Sequence, residues 1–471
     1  MDQCYRGNYV ISDNRVMDNG MGILIKHSQS NYLRNNTIGN NTYNFGVTGW
    51  YYLDFDQDID ASNTVDGKPI FYLRNENGKI INFTNNAGYI ALINCKNVTI
   101  RDLNLTKNLQ GVLLFNTKES TIENVNAMDN AHCGILLLSS SKNVINKCNI
   151  FNNKDCGYIH SLGVSGFGVG LYQDWPHPCP DYNIITENNI YNNSADGISG
   201  WDTSNSYIAK NNISNNGVSI SNIWFSNGIF LGESYNNTIT ENNISNNVAY
   251  AIAFNSESHG NHVFHNNLIN NRFKPQALDP AGTNTFDEGY SLGGNYWSDY
   301  TGEDYFSGQK QDQLGSDGIG DTAYIIEGEL GDNRDNYPLM EPFENYSEDE
   351  LLDVPFFSQR DPAWKDKKLD HSPYSIGEYG CALTSAAMVA KYFGYDTDPD
   401  RLNTSLTEVG GLDITGDLHW EKVEEVSGGT VTWIESVGAT WSRIDQELGN
   451  EYPVIASVDC SLGTHFIVFI G

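Results

Sequence analysis

Two residues in the last quarter of the chain have side chains that could together cleave a bond at a carbonyl group. Cys381 begins the segment 381–393, whose apolar residues recur at helical spacing and which ends before a glycine. A thiol at the start of a helix lies at the positive end of the helix dipole, which favours the nucleophilic thiolate. Downstream, 453–458 and 465–470 are apolar runs typical of adjacent strands, and His465 begins the second. A cysteine and a histidine so placed can act as nucleophile and general base.

A second group of polar residues lies in the first part of the chain. His132 and Asp155 each stand two positions before a glycine, and Asp196 stands one position before another. If the surrounding repeats stack, these side chains lie on adjacent coils, and carboxylates there could act as acid and base on a glycosidic bond. The insertion 160–182 follows, and its Trp175 would give a groove an aromatic surface for sugar.

Three aspartates further on suggest a cation site. Asp312, Asp317 and Asp321 lie in and around the sequence Ser-Asp-Gly-Ile-Gly-Asp at 316–321. In a D-x-D-x-D-G loop, carboxylates at alternate positions converge on one calcium ion, and only the Asp-Gly-Ile-Gly-Asp part is present here. The segment is either a calcium site or an ordinary Gly/Asp turn.

The elements that must position these residues fall into two domains, because asparagine is distributed unevenly. Of 59 Asn residues, 57 precede residue 350 and 2 follow it. Such a shift in composition marks a domain boundary, and the acidic segment 344–352 is predicted to be a linker. The predicted domains are 1–294, its C-terminal cap 295–343, and 353–471.

A repeat of 22 to 24 residues, broken by two longer gaps, runs through the Asn-rich part. Three apolar columns can be aligned. The first column holds Ile100, Ile122, Ile145, Ile185, Ile208, Ile239 and Val263. The second column has the same gaps and holds Leu105, Ala127, Ile150, Ile190, Ile213, Ile244 and Leu268. The third column, mostly preceded by Gly, holds Val112, Ile135, Tyr158, Ile198, Ile229 and Ile252.

Short β-rich repeats of this length predict a right-handed parallel β-helix, in which coils about 4.8 Å apart share one apolar core. Asn suits the corners because it tolerates left-handed backbone and because stacked amides can hydrogen-bond from coil to coil. The alignment also places Cys133 and Cys156 one coil apart, as a disulfide or as two free thiols. The predicted fold class is therefore mainly β, followed by a smaller α+β domain.

Residues 8–343 resemble the NosD-like, "periplasmic copper-binding" β-helix family of archaeal and bacterial surface and periplasmic proteins. The resemblance rests on the repeats together with three flanking motifs, which are 59–70, 294–300 and 317–321. It implies an extracellular, cell-surface or periplasmic location and handling of a carbohydrate or other ligand. The copper function is not supported, because six Met and scattered His residues form no copper-type ligand cluster.

Residues 353–471 resemble a papain-like cysteine peptidase domain of the bacteriocin-processing-peptidase-like group. The motifs that carry this resemblance are 354–364, 376–381, 396–399 and 464–466. It implies that Gln359 donates to the oxyanion, that Cys381 attacks the carbonyl, and that His465 transfers the proton, without a cofactor. The family orients its His with an Asp or Asn roughly 10 to 20 residues later, so we expect the chain to be a fragment of a longer protein.

Charge and hydropathy exclude two classes of function. The chain has 27 Lys and Arg against 59 Asp and Glu, a formal net charge of −32, whereas nucleic-acid-binding surfaces are basic. No run of 18 apolar residues predicts a transmembrane segment, and residues 1–6 lack the apolar core of a signal peptide.

Three functions remain open from the sequence. The first is a surface or secreted protein whose C-terminal domain hydrolyses a peptide or protein substrate. The second is an adhesin or a surface-polysaccharide-binding protein with an inert peptidase-like module. The third is a carbohydrate-active β-helix enzyme that uses the region of His132, Asp155 and Asp196.

Overall fold

The computed structural model describes residues 7–49, 51–155, 166–173, 178–217, 225–326, 328–329, 331–344, 352–370, 372–432, 444, 447–448, 451–460 and 463–470. The chain divides into two compact units, 1–344 and 345–471. Among the described residues, every helix is too short or too polar to cross a bilayer.

The first unit begins with short parallel strands whose equivalent residues are 22 or more positions apart. They are β1 (Val10–Ser12), β2 (Arg15–Met17), β3 (Met21–Lys26), β4 (Tyr32–Arg34), β5 (Thr37–Gly39), β6 (Tyr43–Thr48), the helix α1 (Tyr52–Phe55), β7 (Asp58–Ile59) and β8 (Thr64–Val65). Strand β8 pairs antiparallel with the strand that follows it, so the chain reverses direction at Gly67. The repeat pattern predicted the strands but not this reversal.

The central coils contain the strands of the aligned repeats. They are β9 (Lys68–Arg74), β10 (Ile80–Ile81), a 3₁₀ helix (Phe83–Asn85), β11 (Tyr89–Ile93), β12 (Thr99–Thr106), β13 (Gln110–Phe115), β14 (Thr121–Met128), β15 (Cys133–Leu138), β16 (Val144–Asn146), β17 (Asn149–Phe151), β18 (Phe167–Tyr172), β19 (Ile184–Thr186), β20 (Asn189–Tyr191), β21 (Ile198–Trp201), β22 (Tyr207–Ala209), β23 (Asn212–Ser214), β24 (Ile229–Gly232), β25 (Thr238–Thr240), β26 (Asn243–Ser245), β27 (Ile252–Phe254), β28 (His262–Phe264), β29 (Asn267–Ile269) and β30 (Ala277–Leu278). They supply all but one strand of a 14-stranded sheet and, together with β2, β5 and β8, form a 12-stranded sheet. The apolar columns meet in the core between the two sheets.

The strand register confirms the first two apolar columns and corrects the third. The residues of the first and second columns pair in parallel from coil to coil as the alignment predicts. In the third column, Ile135 pairs with Val169, which in turn pairs with Ile198. Tyr158, placed there by the alignment, lies outside the described residues. The Gly-apolar pair at 157–158 resembles the repeat, but the alternating run 166–172 is the one that places Val169 and Leu171 in the core.

Asparagine ladders run along three positions of the coils, before the first apolar column, between the first and second, and after the second. At each step, the Oδ1 atom of one Asn accepts hydrogen bonds from the backbone N–H and the Nδ2 of the Asn one coil earlier, as Asn211 does from Asn188 at 3.0 and 2.9 Å. These amides are buried, and the residue just before many of them has a positive φ, as Asn192 does before Asn193. Of the two roles predicted for Asn at corners, the first residue therefore adopts the left-handed backbone and the next one forms the ladder of amides.

The outer face of the 12-stranded sheet is covered along its first half by the N-terminal coils. Phe55 of α1 stacks on Phe115 of β13, with ring centroids 4.4 Å apart, and Phe45 of β6 contacts Tyr89 edge-on at 5.0 Å. Gln110 Nε2 donates to the Val47 carbonyl across this contact at 3.1 Å. The reversal after β8 therefore buries an aromatic sheet face that a simple solenoid would leave exposed.

The segment 295–343 closes the C-terminal end of the core. Its strands are β31 (Tyr296–Trp297), β32 (Phe306–Ser307), β33 (Gln313–Leu314), β34 (Tyr324–Ile326) and β35 (Asn333–Asp335). Trp297 is buried and stacks on Tyr324 with centroids 4.0 Å apart. Its Nε1 donates to Asp335 Oδ2 at 2.8 Å, and burial raises the pKa of Asp335 to about 7. Trp297, from the flanking motif 294–300, therefore covers the C-terminal end of the apolar core.

The second unit packs helices against a β-hairpin. Its elements are α2 (Ile376–Tyr379), α3 (Cys381–Tyr392), α4 (Pro399–Val409), α5 (Trp420–Val426), β36 (Val454–Cys460) and β37 (Gly463–Phe469). The 396–399 motif starts α4: the Asp398 side chain accepts from Asp400 N and Arg401 N, and Pro399 is the first helical residue. Strand β37 pairs antiparallel with β36 and packs against α3. The helix and both strands predicted from the sequence are present.

Candidate functional site

Cys381 is the first residue of α3 and lies at a tightly built helix start. Gly380 separates α2 from α3, and a Cβ there would lie 2.6 Å from the Ile376 carbonyl oxygen, so only glycine fits. Thr384 Oγ1 donates to the Gly380 carbonyl at 2.7 Å. Leu383 is buried in the core of this unit, whereas Cys381 is a partly buried free thiol. The backbone therefore fixes the position of this thiol and leaves it reachable from solvent.

Gln359 is held close to the turn that precedes Cys381. Its Nε2 donates to the carbonyl of Gly377 at 3.2 Å, four residues before Cys381. Trp364 Nε1 donates to the Ser358 carbonyl at 2.8 Å and fixes the loop that carries Gln359. An amide nitrogen has two hydrogens, so this one can donate to a second acceptor. The structure therefore places Gln359 against α2, the short helix that leads into α3.

His465 lies on β37, opposite Val458 of β36, and its side chain is exposed. The next residue, Phe466, contacts Trp420 with ring centroids 5.5 Å apart. Because successive side chains of a strand point to opposite faces, Phe466 anchors the strand and His465 is left accessible. The strand that carries His465 packs against the helix that begins at Cys381.

Two tyrosines beside Cys381 were not identified from the sequence. The rings of Tyr374 and Tyr379 stack with centroids 5.2 Å apart, and 45% and 46% of the two residues is exposed. The nearby carboxylate of Asp417 raises the pKa of Tyr379, and the Cys381 thiol contributes in the same direction. The position of Tyr379, two residues before the cysteine, is the sequence signal that could have indicated this pair.

His132 and Asp196 are buried, which corrects the prediction that they face a groove. Both are about 1% exposed or less, and burial lowers the pKa of His132 to about 4 and raises that of Asp196 to about 7. Asp196 Oδ1 accepts from Asn227 N at 2.8 Å and Asn227 Nδ2 at 3.0 Å. Each of the two residues precedes a strand of the 12-stranded sheet, and its side chain is enclosed by the coil. Column alignment alone does not show whether a side chain is buried or exposed.

The remaining predicted residues of this region are not brought together as a site. Asp155 is exposed, while Trp175 and Cys156 lie outside the described residues. Cys133 is a buried free thiol whose register partner is Phe167, and its Sγ donates to the Ile135 carbonyl at 2.9 Å. Burial raises the pKa of Cys133, as expected for a structural thiol.

The three aspartates of the calcium prediction do not converge on one point. Asp317 accepts from Gly308 N and Ile319 N, and Asp321 accepts from Tyr305 N and Phe306 N. In the part of the chain that the structure describes, no three His, Cys, Asp or Glu side chains form a group that could hold a metal ion. Asp317 and Asp321 thus stabilise turns through backbone N–H groups, and Asp312 is exposed.

An aromatic cleft of about 410 Å³ lies on the outer face of the 12-stranded sheet, beyond the part covered by the N-terminal coils. Six aromatic residues line it, and they are Trp201, Phe225, Phe230, Tyr250, Phe254 and Phe273. Within β24, Ile229 and Leu231 face the core, so Phe230 points outward between them. The alternation of these strands is the signal that could have revealed the cleft.

Comparisons with known families agree with both sequence resemblances. Residues 180–302 match the family "Periplasmic copper-binding protein (NosD)", and residues 39–166 match "Right handed beta helix region". Residues 351–471 match the "Peptidase_C39 like family". The chain joins a NosD-type right-handed β-helix to a peptidase C39-like domain. Curated protein sequences gave no match.

Solved structures similar to this chain include three proteins from bacteria. The A-module of mannuronan C-5 epimerase AlgE6 from Azotobacter vinelandii is 13% identical over 55% of this chain and 63% of that module, with a TM-score of 0.37. An alginate lyase from Paenibacillus is 15% identical over 59% of this chain and 95% of that enzyme, with a TM-score of 0.28. The Streptococcus pneumoniae surface protein and adhesin PfbA is 15% identical over 57% of this chain and 78% of that protein, with a TM-score of 0.29. The chain spans less than two thirds of the epimerase module.

Proposed function

We propose that the peptidase C39-like domain is a papain-like cysteine peptidase that hydrolyses peptide bonds through a thioester intermediate. The observation that carries this proposal is the accessible thiol of Cys381 at the start of α3, with the Gln359 amide held beside the preceding turn. The strand of His465 packs against the same helix. These three residue types are the ones that acyl transfer by a thiol requires.

In the proposed mechanism each residue has one role. Cys381 Sγ attacks the substrate carbonyl, and the oxyanion accepts hydrogen bonds from the backbone N–H of Cys381 and from Gln359 Nε2. His465 takes the thiol proton and gives it to the leaving amine. It then takes a proton from the water that attacks the thioester, which releases the acid and restores the thiol. This chemistry needs no metal or cofactor.

The stacked tyrosines next to Cys381 give the proposed site an apolar surface for the substrate. Tyr374 and Tyr379 expose nearly half of their surface, and Tyr379 is close enough to Cys381 for the thiol to affect its pKa. Large exposed aromatic faces of this kind bind apolar side chains of a partner. We therefore propose a peptide with an apolar residue close to the cleaved bond as the substrate class.

A location outside the cytoplasm is part of the same proposal. It is supported by the match of residues 180–302 to a family described as periplasmic.

The test is hydrolysis of a fluorogenic peptide library by the chain and by two cysteine variants. Cys381→Ala should abolish hydrolysis, because the nucleophile is lost. Cys179→Ala is the matched control, since Cys179 is also a partly exposed free thiol but belongs to the β-helix. Loss of activity in both variants, or in neither, would reject Cys381 as the nucleophile.

A further inference from the structure

We infer that the aromatic cleft on the outer face of the last coils is a binding site for a neutral glycan. This site lies within the β-helix, it shares no residue with the proposed peptidase site, and it goes beyond the proposed function. The argument rests on an uncovered aromatic surface, on a rigidly held indole ring and on the charges around the cleft.

The uncovered surface is a direct continuation of a covered one. Along the first half of the sheet, Phe55 of α1 stacks on Phe115 and covers it. Further along the same face, Phe230 pairs in register with Ser199 on one side and Ala253 on the other, and Phe230 and Ala253 line the cleft. A volume of about 410 Å³ falls in the range of small-molecule and oligosaccharide sites.

Trp201 presents a flat ring whose plane is fixed from two sides. A Cβ at Gly232 would lie 2.7 Å from Cε3 and 2.8 Å from Cζ3 of the indole, so the ring lies directly against the backbone of the neighbouring strand. The indole Nε1 donates to Glu233 Oε1 at 3.1 Å. The ring of Phe230 lies 5.9 Å away, and that of Phe225 lies 5.9 Å from Phe230. A preordered aromatic platform of this kind suits the C–H face of a pyranose ring.

The charges at the cleft favour an uncharged ligand rich in hydroxyl groups. None of the described residues that line the cleft is Lys or Arg, and one of them is Glu329. Glu233 and Asp202 lie beside Trp201, and burial raises the pKa values of both. Repulsion by Glu257 adds to the rise in both, and repulsion by Asp202 adds to that of Glu233. Carboxylates accept hydrogen bonds from sugar hydroxyls and repel a polyuronate.

The wall behind the cleft is held by the buried Asp196. It accepts from the backbone N–H and the side-chain Nδ2 of Asn227, and Asn227 Oδ1 in turn accepts from Tyr250 N at 3.2 Å. Both Asn227 and Tyr250 line the cleft. The buried carboxyl predicted as a contact for substrate thus acts one layer behind the site.

A peptide fits this surface less well than a glycan. The backbone N–H and C=O groups of β21, β24 and β27 are paired with neighbouring coils, so the face offers only side chains to a ligand. Peptides that bind sheets gain affinity mainly from main-chain hydrogen bonds at an open edge. Stacking on rings and donation to carboxylates remain available, and sugars use both.

The experiment is isothermal titration of the full chain with defined probes. The probes are the neutral hexasaccharides of glucose, mannose and N-acetylglucosamine, hexagalacturonate, and an apolar hexapeptide. We expect at least one neutral hexasaccharide to bind and hexagalacturonate to bind at least tenfold more weakly. Trp201→Ala and Gly232→Ala should each weaken binding of that sugar about tenfold or more, the latter because the new Cβ displaces the ring. Trp201→Phe, which keeps a platform, should retain part of the affinity.

Two controls make the outcome unambiguous. Tyr191→Ala removes an aromatic that stacks on Phe151 in the other sheet, and it should leave binding unchanged. Cys381→Ala should also leave binding unchanged, so failure of the peptidase proposal would not affect this result. The inference is overturned if no neutral hexasaccharide binds, if hexagalacturonate or the peptide binds more tightly, or if Trp201→Ala binds the sugar as well as the unaltered chain.

Discussion

Asn211 in the β-helix and Gln359 in the C-terminal unit carry the same amide group in opposite surroundings. Asn211 is 1% exposed; its Oδ1 accepts from two groups of Asn188, and its Nδ2 donates to Ile185 O, Ala209 O and Asn242 Oδ1. Gln359 is partly buried, and its Nε2 donates to Gly377 O. The first amide is saturated by the fold, and the second has capacity left for a ligand.

The two histidines considered as functional residues differ in the same way. His132 is buried, and burial lowers its pKa to about 4, so it is neutral at ordinary pH and sealed from any substrate. His465 is exposed on a strand that packs against α3. In this chain, polar residues that recur with the repeat stabilise coils, and residues outside the repeat are the ones available for chemistry.

The largest expected effect is that of removing the base from the proposed peptidase site. His465→Ala should lower kcat/KM for peptide hydrolysis by about a thousandfold, because general base catalysis typically contributes about 10² to 10⁴. His419→Ala is the matched control, since His419 is another histidine of the same unit and precedes α5. Equal losses in the two variants would show that His465 has no special role.

Next in size is the effect of breaking an asparagine ladder. Asn211→Ala leaves the N–H and Nδ2 of Asn188 without their acceptor and should lower the free energy of unfolding by about 2–3 kcal/mol, measured by urea denaturation. Asn212→Ala changes the adjacent, exposed Asn and should cost less than about 0.5 kcal/mol. Similar values for both would contradict the structural role of the ladder.

A smaller effect, dependent on pH, is expected for the buried carboxyl of Asp196. Burial raises its pKa from 3.8 to about 7, so the folded state holds the proton more tightly than the unfolded chain. The contribution of this group to stability is therefore full below about pH 4 and is lost as the pH rises towards 7. Asp196→Asn keeps an Oδ1 acceptor for both Asn227 donors and removes the charge.

Urea denaturation of the Asp196→Asn variant checks this sign. At pH 8 it should be more stable than the unaltered chain by about 1–3 kcal/mol, and at pH 4 the difference should be close to zero. A variant that is less stable at pH 8 than at pH 4, relative to the unaltered chain, would show that the carboxylate is stabilised rather than penalised in the fold.

The parts of the fold that the sequence predicted are those in which a local pattern and the tertiary contacts agree. The columns of Ile145 and Ile150 are correct because both residues pair in register with the preceding coil and are followed by a ladder position, held by Cys148 and Asn153. Tyr158 was misplaced because a Gly-apolar pair is only two residues long and occurs also outside the repeat. The reversal at Gly67 could not be predicted, since it depends on which sheet face the N-terminal coils cover.

For the candidate sites too, the sequence predicted what local patterns determine and missed what depends on tertiary contacts. Cys381 and His465 were identified because a helix start and a strand can be read from short-range patterns. His132 and Asp196 were assigned to a groove because column alignment gives the coil of a residue but not whether its side chain faces solvent. Trp201 and Phe230 went unnoticed because they lie on different coils and come together only through the register of β21 and β24.

The central claim is that Cys381 is an activated thiol, and its alkylation rate tests this most directly. The full chain is treated with iodoacetamide at pH 7, and mass spectrometry of peptides gives the rate at Cys381 and at Cys179, the two partly exposed free thiols among the described residues. We predict that Cys381 reacts at least tenfold faster and that His465→Ala removes most of this advantage. Equal rates at the two cysteines, or a rate at Cys381 that His465→Ala leaves unchanged, would contradict the account.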